Sequence, residues 1–323
     1  MIATAKTTYP VYSVRFWASY LIQMRPYLLF VSGIAGMAGI AMAKDPVTSN
    51  GTILFAFLPF FLGYGFGQAL TDCFQTDTDK LSSPYRPLSR EVIRINDVLI
   101  VSITGLALSG ILLLSFHWLS FLGSLAAVFG LATYSFVKKQ YWFGGPFYNG
   151  WIVALLPLMG YFVMKQTGET AFPARLLPYL FVTFFSYGSF VLIGYLKDID
   201  ADRATGYKTF PVVWGWQKTM VAGDVFALAT LYFFWSQPTG NGYEMACGIA
   251  ASLVTVGGQV AGHLTRQKNE RGALFPILST VRSFILFHLA IVLHFQPQWF
   301  YYSLVYYVLF EIFLYMRPSP CQV

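Results

Sequence analysis

Residues 176–202 read LLPYLFVTFFSYGSFVLIGYLKDIDAD, an apolar run of 21 residues that ends in three carboxylates. About 20 apolar residues in a helix are enough to cross the hydrocarbon core of a bilayer. The apolar part, 176–196, therefore predicts a membrane-spanning helix. The carboxylates of Asp198, Asp200 and Asp202 follow at the end of this helix, where the membrane meets water. This stretch indicates a helical membrane protein with a charged site at one membrane face.

The whole chain has the composition of a protein that crosses the bilayer many times. It is 56% hydrophobic and only 11% charged, which excludes an ordinary soluble domain. Continuous apolar runs without strand-like alternation predict an all-α polytopic membrane protein rather than a barrel. No low-complexity linker divides the chain, so we interpret residues 1–323 as a single transmembrane domain. Ten candidate spans lie near 23–43, 52–70, 97–115, 118–136, 148–165, 176–196, 219–236, 244–263, 275–295 and 299–316.

The first two spans carry glycine triplets. Small residues on one face of a membrane helix allow a neighbouring backbone to approach closely. We therefore predict close helix packing at two groups of glycines, which are Gly33, Gly36 and Gly39 in the first span and Gly63, Gly65 and Gly67 in the second.

Lysine and arginine are distributed unevenly between the two sides of the predicted helices. With a cytoplasmic N-terminus and ten spans, 17 of the 21 basic residues fall on the cytoplasmic side, and the C-terminus returns there. This bias is the usual mark of the cytoplasmic face. Topology explains most of the net charge of +7. Because no soluble basic domain is present, the charge indicates anionic membrane lipid or a phosphorylated substrate as the partner and not nucleic acid.

A second acidic segment, TDCFQTDTD at residues 71–79, follows the second predicted span. Together with 198–202 it holds six of the 14 acidic residues of the chain. Four spans separate the two segments, so both are expected on the same, cytoplasmic face. Crowded carboxylates near a membrane are costly unless a cation holds them. Oxygen ligands suit Mg²⁺, which binds through one or two carboxylates and the phosphates of a substrate. A diphosphate substrate is therefore the first hypothesis.

Helical spacing brings some of these side chains onto common faces. Asp72, Gln75 and Asp79 recur at intervals of three and four residues, and Asp198 and Asp202 are four apart. We expect these five residues to hold one or two Mg²⁺ ions, with the four aspartates as the catalytic carboxylates. The plain alternative is that they are solvated loop acids, paired with nearby lysines and arginines.

Basic side chains flank both acidic segments. Arg86 lies in the stiff segment 84–87 (PYRP), Lys138 ends the fourth span on the same face, and Arg203 follows the second cluster. Guanidinium forks and ammonium groups are the usual partners of phosphate oxygens. These three residues are therefore candidates for diphosphate binding, although positive-inside topology alone accounts for some of the basic residues in these loops.

These segments resemble the UbiA superfamily of intramembrane prenyltransferases. The first motif of that family is N-D-x-x-D-x-x-x-D followed by Pro-Tyr-Arg-Pro, and the second is D-x-x-x-D followed by G-x-x-T-x-P. The matching positions are Thr71, Asp72, Gln75, Asp79 and 84–87 for the first motif, and Asp198, Asp202, Gly206, Thr209 and Pro211 for the second. The Arg25-Pro26 pair and the segment from Tyr134 to Lys139 look like further family features, which adds Tyr134 and Lys139 to the candidates for diphosphate binding.

The resemblance covers about residues 20–295 and implies a particular architecture. It implies nine transmembrane helices and makes the run 299–316 an added tenth helix. The equal placement of the two acidic segments, each after the second helix of a group of four, predicts two four-helix halves around a central cavity. The wording around both motifs is most similar to the branch with the chlorophyll and bacteriochlorophyll synthases. The chain departs from the family at Thr71, which replaces an asparagine, and at Gln75, which replaces an aspartate and removes one negative charge. Asp77 is a candidate to compensate for that loss.

The resemblance implies a Mg²⁺-dependent enzyme that ionises an allylic isoprenyl diphosphate. In one interpretation the prenyl group is transferred to a lipophilic acceptor. In the other, a UbiA-type terpene cyclase, the chain's own double bond attacks the cation and no acceptor is needed. A transporter is the third interpretation, since Arg282, Asp224 and Glu311 lie within or near spans. It is disfavoured because the acidic residues gather at the cytoplasmic rim and not at the bilayer midplane.

Overall fold

The computed structural model describes residues 8–44, 48–172 and 174–319, and the regular structure in these ranges is helical. No β-strand occurs in the part of the chain that it describes, which confirms the predicted all-α class. Thirteen α-helices are present there. In chain order they are α1 (Val14–Gln23), α2 (Pro26–Ala43), α3 (Asn50–Asp72), α4 (Thr76–Ser82), α5 (Ile95–Phe116), α6 (Trp118–Gln140), α7 (Gly144–Val163), α8 (Leu177–Gly194), α9 (Ile199–Ala204), α10 (Phe210–Trp235), α11 (Gly242–Leu264), α12 (Glu270–Phe295) and α13 (Phe300–Tyr315).

Eight helices in the described ranges are long and apolar enough to cross a membrane. They are α2, α3, α5, α6, α7, α8, α11 and α12, where α8 is extended by short 3-10 turns to Ala174–Lys197. These eight coincide with eight of the ten spans predicted from the sequence. The protein is therefore an integral membrane protein.

The other two predicted spans, 219–236 and 299–316, are helical but differ from the eight. α10 is kinked at Gly215, where φ is 76°, and the predicted span 219–236 lies on the helical part that follows the kink. That left-handed conformation favours glycine, because a Cβ would crowd the backbone. α13 has 16 residues, which at about 1.5 Å per residue is shorter than the hydrocarbon core of about 30 Å. The predicted tenth helix exists as a short apolar helix packed on α2 and α12.

Glycines allow α2 to pack closely against α7. A Cβ on Gly39 would lie 1.9 Å from the carbonyl oxygen of Pro157, and one on Gly160 would lie 2.1 Å from that of Gly36. The predicted close approach in the first glycine triplet is therefore present. In the second triplet it holds for Gly65 and Gly67, but a Cβ on Gly63 would meet no atom within 4 Å.

Gly39→Ala is expected to lower the free energy of unfolding by about 1–3 kcal/mol, because the added methyl group would have to displace backbone atoms of α7. The matched control is Gly63→Ala, which places the same methyl group on a membrane helix in open space. The thermal unfolding midpoint of the two variants in one detergent checks this. Equal midpoints would contradict the close α2–α7 contact.

A central cavity lies among the helices, but the two predicted halves contribute to it unequally. Side chains from α2, α3, α5 and α6 of the first half line it, together with α7 and α8 of the second half. Its lining includes no residue from α10 to α13. The helices after α9 therefore support the cavity wall from behind, where α12 packs against α2 and α8.

The three charged residues noted within or near the spans, Arg282, Glu311 and Asp224, have partners. Arg282 of α12 donates hydrogen bonds of 2.7 and 2.8 Å to the two carboxylate oxygens of Glu311 on α13. Asp224 of α10 lies 2.7 Å from the imidazole of His263 on α11. Pairing offsets the cost of burying charge in a membrane. These residues therefore hold helices together and do not line the central cavity.

Candidate active site

The cavity has a volume of about 210 Å³ and is charged at one end only. Most of its wall is apolar and comes from leucine, valine and isoleucine side chains of α5, α6 and α7, among others. The charged end is formed where α3, α6 and α8 terminate. Seven charged side chains line it, namely Arg25, Asp72, Asp79, Arg86, Lys138, Lys197 and Asp198.

The two acidic segments meet at this end. α3 ends at Asp72, and a break of three residues leads into the short helix α4, which contains Asp79. α9 begins directly after Asp198 and packs against α4, with the hydroxyl groups of Thr78 and Thr205 2.9 Å apart. Asp72, Asp79 and Asp198 consequently face one cavity.

Asp72 is the most heavily hydrogen-bonded carboxylate of the site. It accepts hydrogen bonds from the amides of Gln23 at 2.5 Å and Gln68 at 2.7 Å. The guanidinium of Arg25 donates to both of its oxygens, at 2.9 and 3.0 Å. The guanidinium of Arg86 also lies 3.8 Å from Oδ2 of Asp72. So many donors fix the carboxylate in one orientation.

Sequence reasoning did not find Gln23 or Gln68 as partners of Asp72, and it noted Arg25 only as part of a pair with Pro26. Arg25 adopts a left-handed conformation with φ of 54° directly before α2. Such a conformation is unfavourable for a side-chain-bearing residue and persists where its surroundings require it. Here it turns the guanidinium toward Asp72. The sequence shows only that an arginine precedes the first predicted span. It does not indicate that Asp72 is the partner of this arginine.

Asp79 forms a buried ion pair with Arg86, with nitrogen and oxygen 2.6 Å apart. Burial raises the pKa of Asp79 above the ordinary value, and the charge of Arg86 opposes that shift. Burial also acts to lower the pKa of Arg86, but Asp79 and Asp72 more than offset this, so the pKa of Arg86 is raised overall. The arginine of the PYRP segment is therefore a permanent cation at the cavity wall.

Lys138 connects the two acidic segments. Its Nζ atom lies 3.3 Å from Oε1 of Gln75 and 3.4 Å from Oδ1 of Asp202. Asp202 is fully buried, and its other oxygen accepts a hydrogen bond of 3.0 Å from Thr209. Burial raises the pKa of Asp202, while Lys138 acts in the opposite direction. The amide nitrogen of Gln75 donates to Ser135 at 3.0 Å.

Three predicted site residues do not line the cavity, namely Lys139, Asp202 and Arg203. Asp202 is buried against Lys138, whereas the other two lie at the surface. Lys139 pairs with Asp77 at 3.3 Å, and both side chains are 47% exposed. Arg203 pairs with Asp200 at 3.3 Å, with side chains 61% and 94% exposed. These two exposed pairs match the alternative interpretation from the sequence, in which acidic residues outside the site are solvated and paired with neighbouring bases. Asp77 consequently does not compensate within the cavity for the charge lost at position 75.

Tyrosine rings line the cavity beside its charged end. Tyr134, the remaining candidate for diphosphate binding, shares a hydrogen bond of 2.5 Å with Tyr195. Tyr64 and Tyr187 share another of 3.0 Å. All four residues belong to the lining. Their hydroxyl groups are paired with each other, so the rings are held in place along the wall.

The donor set at the charged end fits a hard divalent cation. Its ligand atoms are carboxylate oxygens, and Mg²⁺ needs only one or two of them when a substrate supplies phosphate oxygens. Oδ1 of Asp202 makes no hydrogen bond, but it lies 3.4 Å from Nζ of Lys138, so the cation beside it is that ammonium. The carboxylates that line the cavity and could meet a metal are Asp72, Asp79 and Asp198. In the described residues no three His, Cys, Asp or Glu side chains come close enough to hold a metal without such help.

Sequence comparison identifies relatives of the chain. A sequence model of the UbiA prenyltransferase family matches residues 32–287. The chain is similar to the digeranylgeranylglyceryl phosphate synthase of Thermococcus sibiricus, with 27% identity over 210 residues that cover 64% of this chain and 72% of the relative. The protein of the same name from Thermococcus kodakarensis is 27% identical over 211 residues, covering 64% and 73%.

Solved structures share the fold. A UbiA homologue from Aeropyrum pernix superimposes with a TM-score of 0.64, covering 79% of this chain and 94% of that one, at 15% identity. A UbiA homologue from Archaeoglobus fulgidus, bound to GPP and Mg²⁺, superimposes with a TM-score of 0.60, covering 83% and 99%, at 17% identity. Since the family model matches most of the chain, this membrane protein belongs to the UbiA prenyltransferase family.

Proposed function

We propose that the protein is a Mg²⁺-dependent enzyme that ionises an allylic isoprenyl diphosphate and transfers the prenyl group to a lipophilic acceptor. One observation carries the proposal. Two acidic segments and two buried bases, Arg86 and Lys138, meet at one end of a cavity that is otherwise apolar. A molecule with an anionic head and a hydrocarbon tail matches that distribution of charge.

The apolar part of the cavity suits the prenyl chain. Leu106 and Leu131 line it together with Val128 and Ile152. Each CH₂ group buried there contributes about 0.8 kcal/mol to binding. Tail burial thus gives affinity, while the charged end holds the diphosphate and, with it, the allylic carbon from which it departs.

The charged end suits the diphosphate. Arg86 offers a guanidinium fork and Lys138 an ammonium group, both from buried side chains. Asp79 and Asp198 are the carboxylates that we propose as metal ligands, and Asp72 and Asp202 support them from fixed positions. When bound, Mg²⁺ supplies a Lewis acid that neutralises charge on the departing diphosphate. The Archaeoglobus fulgidus homologues solved with DMAPP or GPP together with Mg²⁺ support this assignment.

The tyrosine rings suit the allylic cation that ionisation leaves behind. Tyr64, Tyr134 and Tyr187 line the cavity beside the charged end, and the face of an aromatic ring attracts a cation. The apolar wall excludes water, which would otherwise quench the cation. The acceptor is then the nucleophile that ends the reaction.

Transfer to an acceptor is favoured over cyclisation by the relatives. Their names describe synthases of a prenylated glyceryl phosphate, which is the product of transfer. The same names support an acceptor with a lipid-like or phosphorylated headgroup. The positive-inside bias supports a site that opens to the cytoplasmic side, with both termini on that side.

Purified protein in lipid nanodiscs is expected to release diphosphate from geranyl, farnesyl or geranylgeranyl diphosphate when both Mg²⁺ and a membrane lipid extract are supplied. The lipid extract provides the acceptor, and a chelator should abolish release because the leaving group is no longer neutralised. Chromatography of the lipid products checks the transfer. A cyclic hydrocarbon or alcohol formed without extract would favour the cyclase, and no release from any of the three diphosphates would contradict the proposed function.

A further inference from the structure

Gln75 differs in its contacts from every other residue predicted to hold the metal. It precedes α4, its side chain is buried, and both ends of its amide are engaged. The nitrogen donates to Ser135 at 3.0 Å, and the oxygen accepts from the ammonium of Lys138 at 3.3 Å. A carbonyl oxygen that holds one cation cannot bind a second without bringing two positive charges together.

Lys138 occupies the position between the two acidic segments. Its side chain is 6% exposed, and its Nζ atom contacts an oxygen from each segment, at Gln75 in the first and at Asp202 in the second. The rings of Tyr195 and Tyr207 lie 5.0 and 4.9 Å from the same nitrogen. An ammonium group has three N–H donors, so one donor beyond the two protein oxygens remains for a phosphate oxygen.

The charge of residue 75 determines which cation occupies the space between the two acidic segments. A carboxylate there would face the buried carboxylate of Asp202, and two opposed carboxylates attract a divalent ion. With the neutral amide of Gln75, one monovalent ammonium is enough to balance Asp202. The surface pair of Asp77 and Lys139 lies outside the cavity and does not change that balance.

We propose that Gln75 is a positioning residue for Lys138, and that the ammonium so placed replaces one of two metal ions, leaving a site that binds its diphosphate with a single divalent cation. This inference rests on the proposed function, since it concerns the same diphosphate site. In this proposal Gln75 holds Lys138 in place and is not a ligand of the metal. Lys138 then contacts the diphosphate directly.

Manganese is a suitable probe for the number of ions. Nanodisc-embedded protein is equilibrated with Mn²⁺ and either farnesyl thiolodiphosphate, which does not ionise readily, or inorganic pyrophosphate. Bound manganese and phosphorus are then measured after separation from free ligand. The parent protein is expected to retain about one Mn²⁺ per diphosphate, and Gln75→Glu, which adds a carboxylate of the same length, about two. Asp77→Asn is the matched control, since it changes an exposed residue of the same loop and should keep the parent ratio.

Lys138→Met gives a second measurement. In the parent background it should weaken binding of the thiolodiphosphate more than tenfold, because a direct charged contact is lost. In the Gln75→Glu background the loss should be smaller, because the second ion supplies the charge. Two ions in the parent, one ion in Gln75→Glu, or equal losses in both backgrounds would overturn the inference. Failure of the parent protein to retain either probe would instead overturn the proposed function, and this inference with it.

Discussion

Asp198→Ala is expected to lower the rate of diphosphate release from an allylic diphosphate by about 10³-fold, the scale of losing one group that stabilises charge in the transition state. Asp198 lines the charged end of the cavity at the start of α9. Its carboxylate is one of the two that we propose to hold Mg²⁺ against the departing diphosphate. The rate with saturating substrate and Mg²⁺ measures the effect, and a lower apparent affinity for Mg²⁺ should accompany it.

Asp200→Ala is the control for this experiment. It lies two residues further along the chain, in the first turn of α9, and its side chain is 94% exposed and paired with Arg203. Both changes remove one negative charge from the same segment, so a loss confined to Asp198→Ala identifies contact with the reacting groups and excludes an effect of overall charge. If the two variants were equally active and both folded, the assignment of Asp198 would be wrong.

The membrane spans were predictable because their signal is local. A run of about 20 apolar residues is sufficient to identify a spanning helix, and eight predicted spans coincide with helices of that kind. The backbone adds detail that this signal lacks. The span predicted at 219–236 follows a kink at Gly215, and the tenth helix, α13, has only 16 residues. Neither feature changes the apolar character from which spans are predicted.

The acidic residues of the site were predictable from spacing, but the role of each base was not. Neighbouring residues in the last turn of α6 diverge, with Lys138 buried in the cavity and Lys139 on the surface. Adjacent residues on a helix point about 100° apart, so only one of them can enter the site. The sequence does not say which. Arg203 likewise does not enter the cavity, because its side chain is directed outward and pairs with Asp200.

The residues of the first motif do not share the one continuous helix that their spacing predicts. Asp72 ends α3 and Asp79 lies in α4, with a break between them at which Gln75 precedes the second helix. Contacts such as that of Gln23 with Asp72 join residues 49 positions apart. Such long-range partners depend on how α1 and α3 pack, and local periodicity contains no information on that packing.

Asp202→Ala is expected to lower the free energy of unfolding by about 3–5 kcal/mol, because it leaves a buried ammonium group without its carboxylate. Asp202 is fully buried, with Oδ1 3.4 Å from Nζ of Lys138. Denaturant unfolding in a fixed detergent measures the change. Asp77→Ala is the matched control, because it removes the carboxylate from the half-exposed pair with Lys139. Exposed pairs of that kind contribute about 1 kcal/mol or less.

Lys138→Met added to Asp202→Ala separates the stability effect from the catalytic one. Removing the ammonium removes the unpaired charge, and an apolar replacement of a whole buried pair is often neutral for stability. The double variant should therefore unfold at nearly the parent free energy while its rate of diphosphate release stays low, since Lys138 also contacts the substrate in our proposal. Equal stability of the single and double variants would show that Lys138 does not depend on Asp202. Recovery of the rate would show that Lys138 serves the fold alone.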